Sequence, residues 1–285
     1  MRTIDEVELT NARPGEEGPE RGDETRRRAP RRSLRLLVRL FLFVLAVAML
    51  FVAWVIGSRH FASYILPGPG PVWDAFRSDW NRGVWASDVQ ATLGHMFIAY
   101  GLTVALGLPI GILIGRFWVL EDLTRALLIF LQTVPTIVLI VLALIFVGST
   151  ATGVIAVTVA SCFTYFTLNV IQGTKAIDSD LAEMARAYNA SELTIMRSII
   201  LPSVVPFFLA GGRITLGVAW QVTLFGEYLM GVHGIGFQIS GAIGLLQTQE
   251  VYSWGLSVVL LTIAFEYGFF RPIEWLLTRH TKRAT

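Results

Sequence analysis

Residues 183–202 read EMARAYNASELTIMRSIILP and place a polar, helix-prone segment between two long apolar stretches. Neighbouring helices are usually joined by only a few residues. A connection long enough for two short amphipathic helices therefore indicates a surface that a soluble partner contacts. The alternative interpretation is an ordinary interfacial loop, with both helices lying on the inner leaflet of a membrane.

The rest of the chain is dominated by apolar runs. Of its 285 residues, 54% are hydrophobic and only 15% are charged, whereas soluble domains carry about 25% charged residues. A run of about twenty apolar residues is long enough to cross the hydrocarbon core of a bilayer. Six such runs are found, at 36–57, 89–115, 123–147, 153–172, 205–229 and 251–276. The sequence therefore predicts an all-α polytopic membrane protein with six transmembrane helices.

The 23 basic residues predict the orientation of these helices, because Lys and Arg accumulate on the cytoplasmic side. Nineteen lie before or at the start of the first run and in alternate loops, three lie in the opposite loops, and Arg213 lies within the fifth run. We therefore expect a membrane protein in which both termini and the loop at 173–204 are cytoplasmic. Residues 1–35 are expected to form a disordered, Arg-rich cytoplasmic tail near membrane lipid, and residues 36–285 the membrane domain.

The charges and the single cysteine also bear on other functions. Arg31 and Arg32 before an apolar run also fit a twin-arginine export signal, but no small-x-small cleavage site follows. The net charge of +2 does not indicate nucleic-acid binding. The single cysteine, Cys162, leaves no intrachain disulfide to form.

Local signals divide the 173–204 loop into two helices. Asp180 and Glu183 have the spacing of a capping box at the start of the first helix. Asn189 stands where a helix ends in a left-handed residue, and Ser191 is the expected N-cap of the second helix. Pro202 is expected to end that second helix.

Small residues in the second run predict close helix packing. Gly107, Gly111 and Gly115 recur every four residues and would stack into a groove along one helix face. Such a groove lets the backbone of another membrane helix approach closely.

Seven residues of the loop resemble the Glu-Ala-Ala motif of ABC importer permeases, in which Glu-Ala-Ala, Gly, Ile and Leu-Pro stand at set intervals. These residues are Glu183, Met184, Ala185, Asn189, Ile199, Leu201 and Pro202. Every spacing of the motif is met. Met184 replaces an alanine and Asn189 replaces the glycine; both changes are mild, because Met is a good helix former and Asn tolerates a positive φ.

The resemblance extends over about residues 65–280. Leu66-Pro67-Gly68-Pro69, Gly211-Gly212-Arg213-Ile214 and Gly234-Ile235-Gly236 are similar to segments of the permeases that serve sulfonates, taurine, nitrate, bicarbonate and thiamine precursors. The Phe-Pro pair usual in the fourth span is missing, since Thr164 follows Phe163. The resemblance implies a type I ABC importer permease fold, a place in a bacterial inner membrane, and a small anionic or polar organic solute.

The resemblance also implies a non-catalytic transport subunit with several partners. Two permease copies, expected to form a homodimer, would make the pathway, and two cytoplasmic ABC ATPase subunits would drive it through the seven loop residues. A separate extracytoplasmic binding protein would deliver the solute. ATP and Mg²⁺ would belong to the ATPase, because this chain has no Gly-x-x-x-x-Gly-Lys-Ser/Thr sequence, and no cofactor is expected here.

Polar side chains within the apolar runs are candidates for a pathway or gate, because they are costly to leave in lipid. The candidates are Gln132, Trp220, Gln221 and Glu227. An alternative function is a proton-coupled secondary transporter in which Glu227 and Glu266 relay the proton. An intramembrane enzyme is disfavoured on the ground that no His–carboxylate pair is expected near a nucleophile. No metal is expected either, because no two histidines have the spacing of a helical metal site.

Overall fold

The computed structural model describes residues 30–176 and 179–270. Within these ranges the chain is helical and contains no strand. The helices are α1 (Pro30–His60), α2 (Pro69–Asn81), α3 (Val84–Arg116), α4 (Trp118–Thr133), α5 (Thr136–Phe146), α6 (Ala151–Lys175), α7 (Ser179–Ala187), α8 (Glu192–Ile195), the π-helical turn π1 (Met196–Ile200), α9 (Leu201–Met230), α10 (Ile235–Gly244), α11 (Thr248–Phe265) and the π-helical turn π2 (Glu266–Phe270). Most of the predicted tail, residues 1–29, lies outside the described ranges, and α1 already begins at Pro30.

The prediction of six membrane-spanning segments is confirmed, with one of them broken. In the described part of the chain, five helical stretches are long and apolar enough to cross a membrane, and α4 with α5 makes a sixth if the pair counts as one span. These two helices meet at 94°. The break falls at Val134, which is extended at φ −64° and ψ 123°. Pro135 explains it, because proline disfavours the helical conformation of the residue before it.

The chain divides into two compact units, and the boundary in the sequence lies between Ile56 and Gly57. In the described part of the first unit, residues 30–56 are a single helical stretch whose apolar side chains from Phe41 to Phe51 are exposed. The second unit begins at Gly57 and contains the helices from α2 onward. Its core lies between α3, α6 and α9.

Glycines bring α3 and α6 together as the sequence predicts. A Cβ atom on Gly107 would lie 2.7 Å from Cδ1 of Phe166, and one on Gly111 would lie 2.7 Å from Cβ of Val170. Gly115 is placed in the same way against Thr174. The contact residues rise in steps of four along both helices, from 107 to 115 on α3 and from 166 to 174 on α6. The two helices therefore run parallel. Their close approach maximises van der Waals contact, which drives helix association in a membrane.

Glycines also bring α6 and α9 together, but in opposite directions. A Cβ atom on Gly211 would lie 2.6 Å from Cβ of Asn169, and one on Gly173 would lie 2.7 Å from Cβ of Phe207. As residue numbers rise along α6 they fall along α9, so these helices are antiparallel. We call the end at which α3 and α6 finish and α9 begins the loop end, and the opposite end the far end.

We predict that Gly111→Ala destabilises the second unit, whereas Gly101→Ala does not. The new methyl group at 111 would lie 2.7 Å from Cβ of Val170 and 3.1 Å from the carbonyl oxygen of Thr167, and overpacking of this kind costs about 1–3 kcal/mol. Gly101 lies on the same helix with nothing within 4 Å of its Cβ position. Thermal unfolding of the detergent-solubilised protein measures the difference, and equal melting temperatures for the two variants would contradict the packing argument.

Candidate functional site: the interhelical loop and a buried carboxylate

A Schellman turn ends the first loop helix, α7. Asn189 has φ 58°, which confirms the predicted left-handed residue. The N–H of Asn189 donates to the carbonyl of Arg186 at 2.9 Å, and the N–H of Ala190 donates to the carbonyl of Ala185 at 3.0 Å. This pair of bonds defines the Schellman motif and satisfies two carbonyls at the helix end. The turn therefore holds α7 at a set angle to the helix that follows.

The second loop helix begins as the sequence predicts. The hydroxyl of Ser191 accepts a hydrogen bond from the N–H of Thr194 at 3.2 Å, which is an N-cap contact. Such a cap satisfies one of the free N–H groups at a helix start and contributes about 1 kcal/mol. The capping box proposed for Asp180 and Glu183 rests on a side chain, that of Asp180, outside the described residues.

Pro202 does not end the second loop helix, and that prediction is wrong. One continuous helical stretch runs from Glu192 to Met230. It widens into π1 immediately before the proline, where the N–H of Leu201 donates to the carbonyl of Met196, five residues back. In an α-helix the proline ring would clash with the carbonyl four residues earlier. The wider π-helical turn relieves that clash, so the helix continues into α9.

The inner side of the loop is anchored in the bundle. Ile195, Ile200 and Val204 are buried in a cluster with residues of α3 and α6, including Phe166 and Val170. Ala185 and Ile199 are half-buried beside the same cluster. Part of the predicted motif therefore packs against the membrane helices.

The outer side of α7 is apolar and exposed. Leu181, Met184 and Tyr188 are 46%, 54% and 83% exposed and follow one another at three- and four-residue spacing. That spacing places them on one helix face. Of the other residues of the motif, Glu183, Asn189, Leu201 and Pro202 are also exposed. An amphipathic helix with an uncovered apolar face at the end of a membrane bundle is suited to insertion into a groove on another protein.

Ion pairs join the loop to the ends of the membrane helices. Glu192 pairs with Arg116 at the end of α3 and, at 3.1 Å, with Arg186 of α7. Lys175 at the end of α6 pairs with Glu121 of α4 at 2.7 Å. Such exposed pairs contribute little to stability. Through Glu192 they connect α7 with α8 and α3, and the Lys175–Glu121 pair connects α6 with α4. From the sequence, Arg116 and Lys175 predict only the orientation of the helices. Their spacing in the chain could not reveal their partners, Glu192 and Glu121.

At the far end, Glu227 of α9 is completely buried and bonded on several sides. Its Oε2 accepts from the hydroxyl of Thr92 at 2.8 Å and from the N–H of Gly236 at 3.2 Å. Nδ1 of His95 lies 2.9 Å from Oε1. The hydroxyl of Thr92 in turn accepts from the N–H of Ile235 at 2.9 Å. We call Thr92, His95, Glu227 and Gly236 the far-end cluster; it joins α3, α9 and the start of α10.

A second buried carboxylate, that of Asp88, lies on α3 one turn before Thr92. Oδ2 of Asp88 accepts from the side-chain amide of Gln238 at 2.7 Å, and Nδ1 of His233 lies 2.8 Å from Oδ1. Asp88, Thr92 and His95 are spaced by four and three residues and therefore share one face of α3. That spacing is the signal in the sequence that could have located this face.

No His–carboxylate pair was expected near a nucleophile, and that expectation is wrong: the structure brings together two such pairs from distant parts of the chain, and the hydroxyl of Thr92 bonds to the carboxylate of one of them. The hydroxyl of Thr92, which donates to the carboxylate of Glu227, is completely buried. In the described residues no group of three His, Cys, Asp or Glu side chains is placed to hold a metal ion.

The remaining pathway candidates, Gln132, Trp220 and Gln221, are not part of the far-end cluster. Trp220 is buried and donates from Nε1 to the hydroxyl of Thr262 at 3.1 Å. Gln132, just before the break between α4 and α5, and Gln221 are exposed. Glu227 is the one candidate within a buried polar network of the described residues.

Glycines are required where α10 approaches α9. Gly234 has φ 144°, and a Cβ atom on it would overlap the carboxylate of Glu227. A Cβ atom on Gly236 would overlap the carbonyl oxygen of Leu224 and lie 2.6 Å from the backbone nitrogen of Tyr228. The start of α10 is thus packed directly against the backbone of α9.

Solved structures of transport proteins share this fold. The chain superimposes on the inward-facing MetNI methionine ABC transporter with a TM-score of 0.53 and 21% identity, covering 67% of this chain and 96% of that chain. It superimposes on an amino acid ABC transporter with a TM-score of 0.57 and 16% identity, covering 72% and 97%. The architecture is therefore that of an ABC importer permease, a class of polytopic membrane transport subunit.

Sequence comparisons identify the family. Residues 107–271 match the binding-protein-dependent transport system inner membrane component family, and the chain belongs to that family. A probable ABC transporter permease of Brucella melitensis is 30% identical over 62% of this chain and 72% of its own length. The taurine transport system permease of Escherichia coli is 26% identical over 67% of this chain and 69% of its own length. The chain is thus a permease subunit of an ATP-driven importer in the inner membrane.

We predict that Gly236→Ala displaces α10 from α9, while Gly241→Ala leaves it in place. A methyl group at 236 would overlap the α9 backbone, which cannot rotate away as a side chain can, so the folded protein should lose at least about 1–3 kcal/mol. Gly241, on the same helix, has nothing within 4 Å of its Cβ position. The melting temperatures of the two purified variants test this; a Gly236→Ala protein as stable as the Gly241→Ala protein would refute it.

Proposed function

We propose that α7 docks into a groove of a cytoplasmic ABC ATPase subunit and passes its movement to the membrane helices. The observation that carries this proposal is the exposed face of Leu181, Met184 and Tyr188 on a helix whose Ala185 packs against the buried cluster of the bundle. Amphipathic helices bind grooves through anchors at such spacing. The seven residues Glu183, Met184, Ala185, Asn189, Ile199, Leu201 and Pro202 form or support this coupling element.

The loop connects α7 to the membrane helices closely enough to pass on a movement of α7. Its Schellman turn at Asn189 and its ion pairs through Glu192 restrict movement of α7 relative to α3. From Ser191 the chain enters the helical stretch Glu192–Met230 without a break. A displacement of α7 by the ATPase therefore acts on one continuous helical stretch that crosses the bundle. ATP and Mg²⁺ are bound by the ATPase, not by this chain.

The transporter contains further partners and has a defined orientation. Two copies of this permease form the pathway as a homodimer, two ATPase subunits bind at the loop end, and an extracytoplasmic binding protein delivers the solute at the far end. This orientation places both termini in the cytoplasm, in agreement with the excess of Lys and Arg in the loops of that side. Membrane lipid surrounds the apolar helices.

The solute is a small anionic or polar organic molecule. Support comes from relatives named for taurine, aliphatic sulfonates, nitrate and formylaminopyrimidine. Mass spectrometry of the solute held by the binding protein that co-purifies with the transporter tests this class. A cationic or wholly apolar solute would contradict it.

Proton-coupled transport through Glu227 and Glu266 is not supported by the arrangement of these carboxylates. Glu266 pairs with Arg213 at 2.5 Å. Arg213 and Glu227 are fourteen residues apart on α9, which corresponds to about 21 Å along a helix. A proton could not pass directly between the two carboxylates over that distance.

We predict that Glu183→Lys leaves the protein in the membrane but uncouples ATP hydrolysis from uptake, because it reverses a charge on the proposed docking helix. Asp122→Lys is the matched control: it makes the same charge change at an exposed residue of α4 outside the loop. Reconstituted vesicles with both ATPase subunits and the binding protein measure uptake per ATP hydrolysed. We expect at least a tenfold lower ratio for Glu183→Lys alone; wild-type coupling in that variant would disprove docking through α7.

A further inference from the structure

We propose that the break between α4 and α5 is a binding site for ordered water, closed on its inner side by the hydroxyl groups of Ser161 and Thr164 on α6. The water supplies hydrogen-bond partners to the interrupted backbone and to both hydroxyl groups. This site lies away from the loop, and the inference does not depend on docking through α7.

The break leaves backbone groups that an unbroken helix would pair. The carbonyl of Leu131 has no helical donor, because Pro135 carries no N–H. The N–H of Val138 donates to the carbonyl of Pro135 at 2.9 Å and does not reach back across the break. The N–H groups of Thr136 and Ile137 open the first turn of α5, where no intrahelical acceptor exists. Donors and acceptors therefore both need partners inside a membrane span, where lipid supplies none.

Two buried clusters place the break opposite the middle of α6. Leu128 of α4 shares one cluster with Ile171, and Ile140 of α5 shares the other with Val157. Residue numbers thus fall along α6 as they rise along α4 and α5, so the broken span runs antiparallel to α6. The break lies halfway between Leu128 and Ile140. It is therefore beside the middle of the segment between Val157 and Ile171.

One face of α6 is directed at α4 and α5, and the middle of that face is polar. Its residues follow one another at alternating spacings of four and three, which places them on one side of a helix; they are Val157, Ser161, Thr164, Leu168 and Ile171. The residues at both ends of the face are apolar and belong to the two clusters. Ser161 and Thr164 lie between them and therefore face the break.

The hydroxyl groups of Ser161 and Thr164 are buried and have no hydrogen-bond partner. The two residues are 8% and 1% exposed. By contrast, Thr158 and Thr174 of the same helix donate to carbonyls four residues earlier, at 2.8 and 2.9 Å. A buried hydroxyl without a partner is costly. Water bound to such groups is a regular part of folded proteins, and it also re-pairs backbone groups at breaks in membrane helices.

Water fits the chemistry of this site better than an ion does. The break offers N–H donors on the α5 side and carbonyl acceptors on the α4 side, and a hydroxyl group can take either role. Water donates and accepts at once, whereas a cation would leave the N–H groups unpaired and an anion would leave the carbonyls unpaired. No charged residue occurs between Arg125 and Lys175, so these helices supply no opposite charge for an ion at the break.

Ser161 and Thr164 are thus positioning residues for the bent span. They hold water against the ends of both short helices, and the water in turn connects α4 and α5 to α6. The angle of 94° between α4 and α5 is then stabilised by hydrogen bonds as well as by apolar packing on either side of the break.

Water-edited solid-state NMR of the full chain in deuterated lipid bilayers tests the site. The measurement gives the rate at which magnetisation passes from water to each amide proton. We expect transfer to Thr136 and Ile137 to be at least threefold faster than transfer to Leu142 and Ala143, which lie in the interior of the same helix. Equal rates for the two pairs of amides would overturn the inference.

Two variants decide whether the hydroxyl groups hold this water. The double variant Ser161→Ala, Thr164→Val should lower transfer to the first two amides of α5 to the rate of the helix interior. Thr167→Val is the matched control: its hydroxyl group is also buried and unpaired, but it lies on the α3 side of α6, 3.1 Å from the Cβ position of Gly107. It should leave transfer unchanged. Fast transfer in the double variant, or an equal loss in the control, refutes the site.

Thermal unfolding gives a second readout, in which a hydrated and an empty site have opposite signs. Thr164→Val keeps the side-chain volume and removes one hydroxyl group. If that group binds water, the variant loses a hydrogen bond, and we expect its melting temperature to fall by about 2–4 °C. If the group is unpaired, the variant is relieved of the cost of burying it. A raised or unchanged melting temperature would therefore count against bound water, and this single variant serves if the double variant does not accumulate.

Discussion

The close approach of α3, α6 and α9 along their glycine faces is the constraint on which the rest of the second unit depends. Lipid tails are as apolar as the side chains of these helices, so association is driven by packing and not by exclusion of water. Gly111 on α3 and Gly211 on α9 bring the two helices to within contact of the backbone or Cβ atoms of α6. With these three helices in place, the positions of both ends of the bundle follow.

At the loop end, close packing leaves only one side of the loop available to a partner. Ile195 and Ile200 are taken into the bundle, and the Schellman turn at Asn189 directs α7 so that Met184 and Tyr188 remain outside. The same chain segment is thus both part of the core and the exposed surface. A loop without this anchoring could bind a partner, but it could not transmit a displacement to the membrane helices.

At the far end, a buried carboxylate adds hydrogen bonds to an apolar cluster that includes Val89, Met96 and Ile235. The carboxylate of Glu227 on α9 accepts hydrogen bonds from Thr92 on α3 and from the N–H of Gly236 on α10. It thereby joins α10, which is too short to span the membrane, to two helices that do span it. Hydrogen bonds of this kind fix the geometry of the contact, because donor and acceptor must meet at a set distance and angle.

Much of the loop could be predicted because its signals are local. The left-handed conformation at Asn189 and the cap at Ser191 depend on residues within one turn, and both are confirmed. The effect of Pro202 could not be predicted in this way. Proline usually ends a helix, and the π-helical turn that accommodates it here is stabilised by burial of Ile195 and Ile200 among side chains from other helices. The break at Pro135 shows the opposite outcome for the same residue type.

The sequence by itself determined the class of protein, the number of spans and the glycine faces, because hydrophobic length and residue spacing are properties of the chain alone. Only the tertiary structure decided the partners of its buried charges. Asp88 and His233, like His95 and Glu227, are more than a hundred residues apart. No periodicity in the chain connects them, since their contact exists only after α3 and α9 have packed side by side.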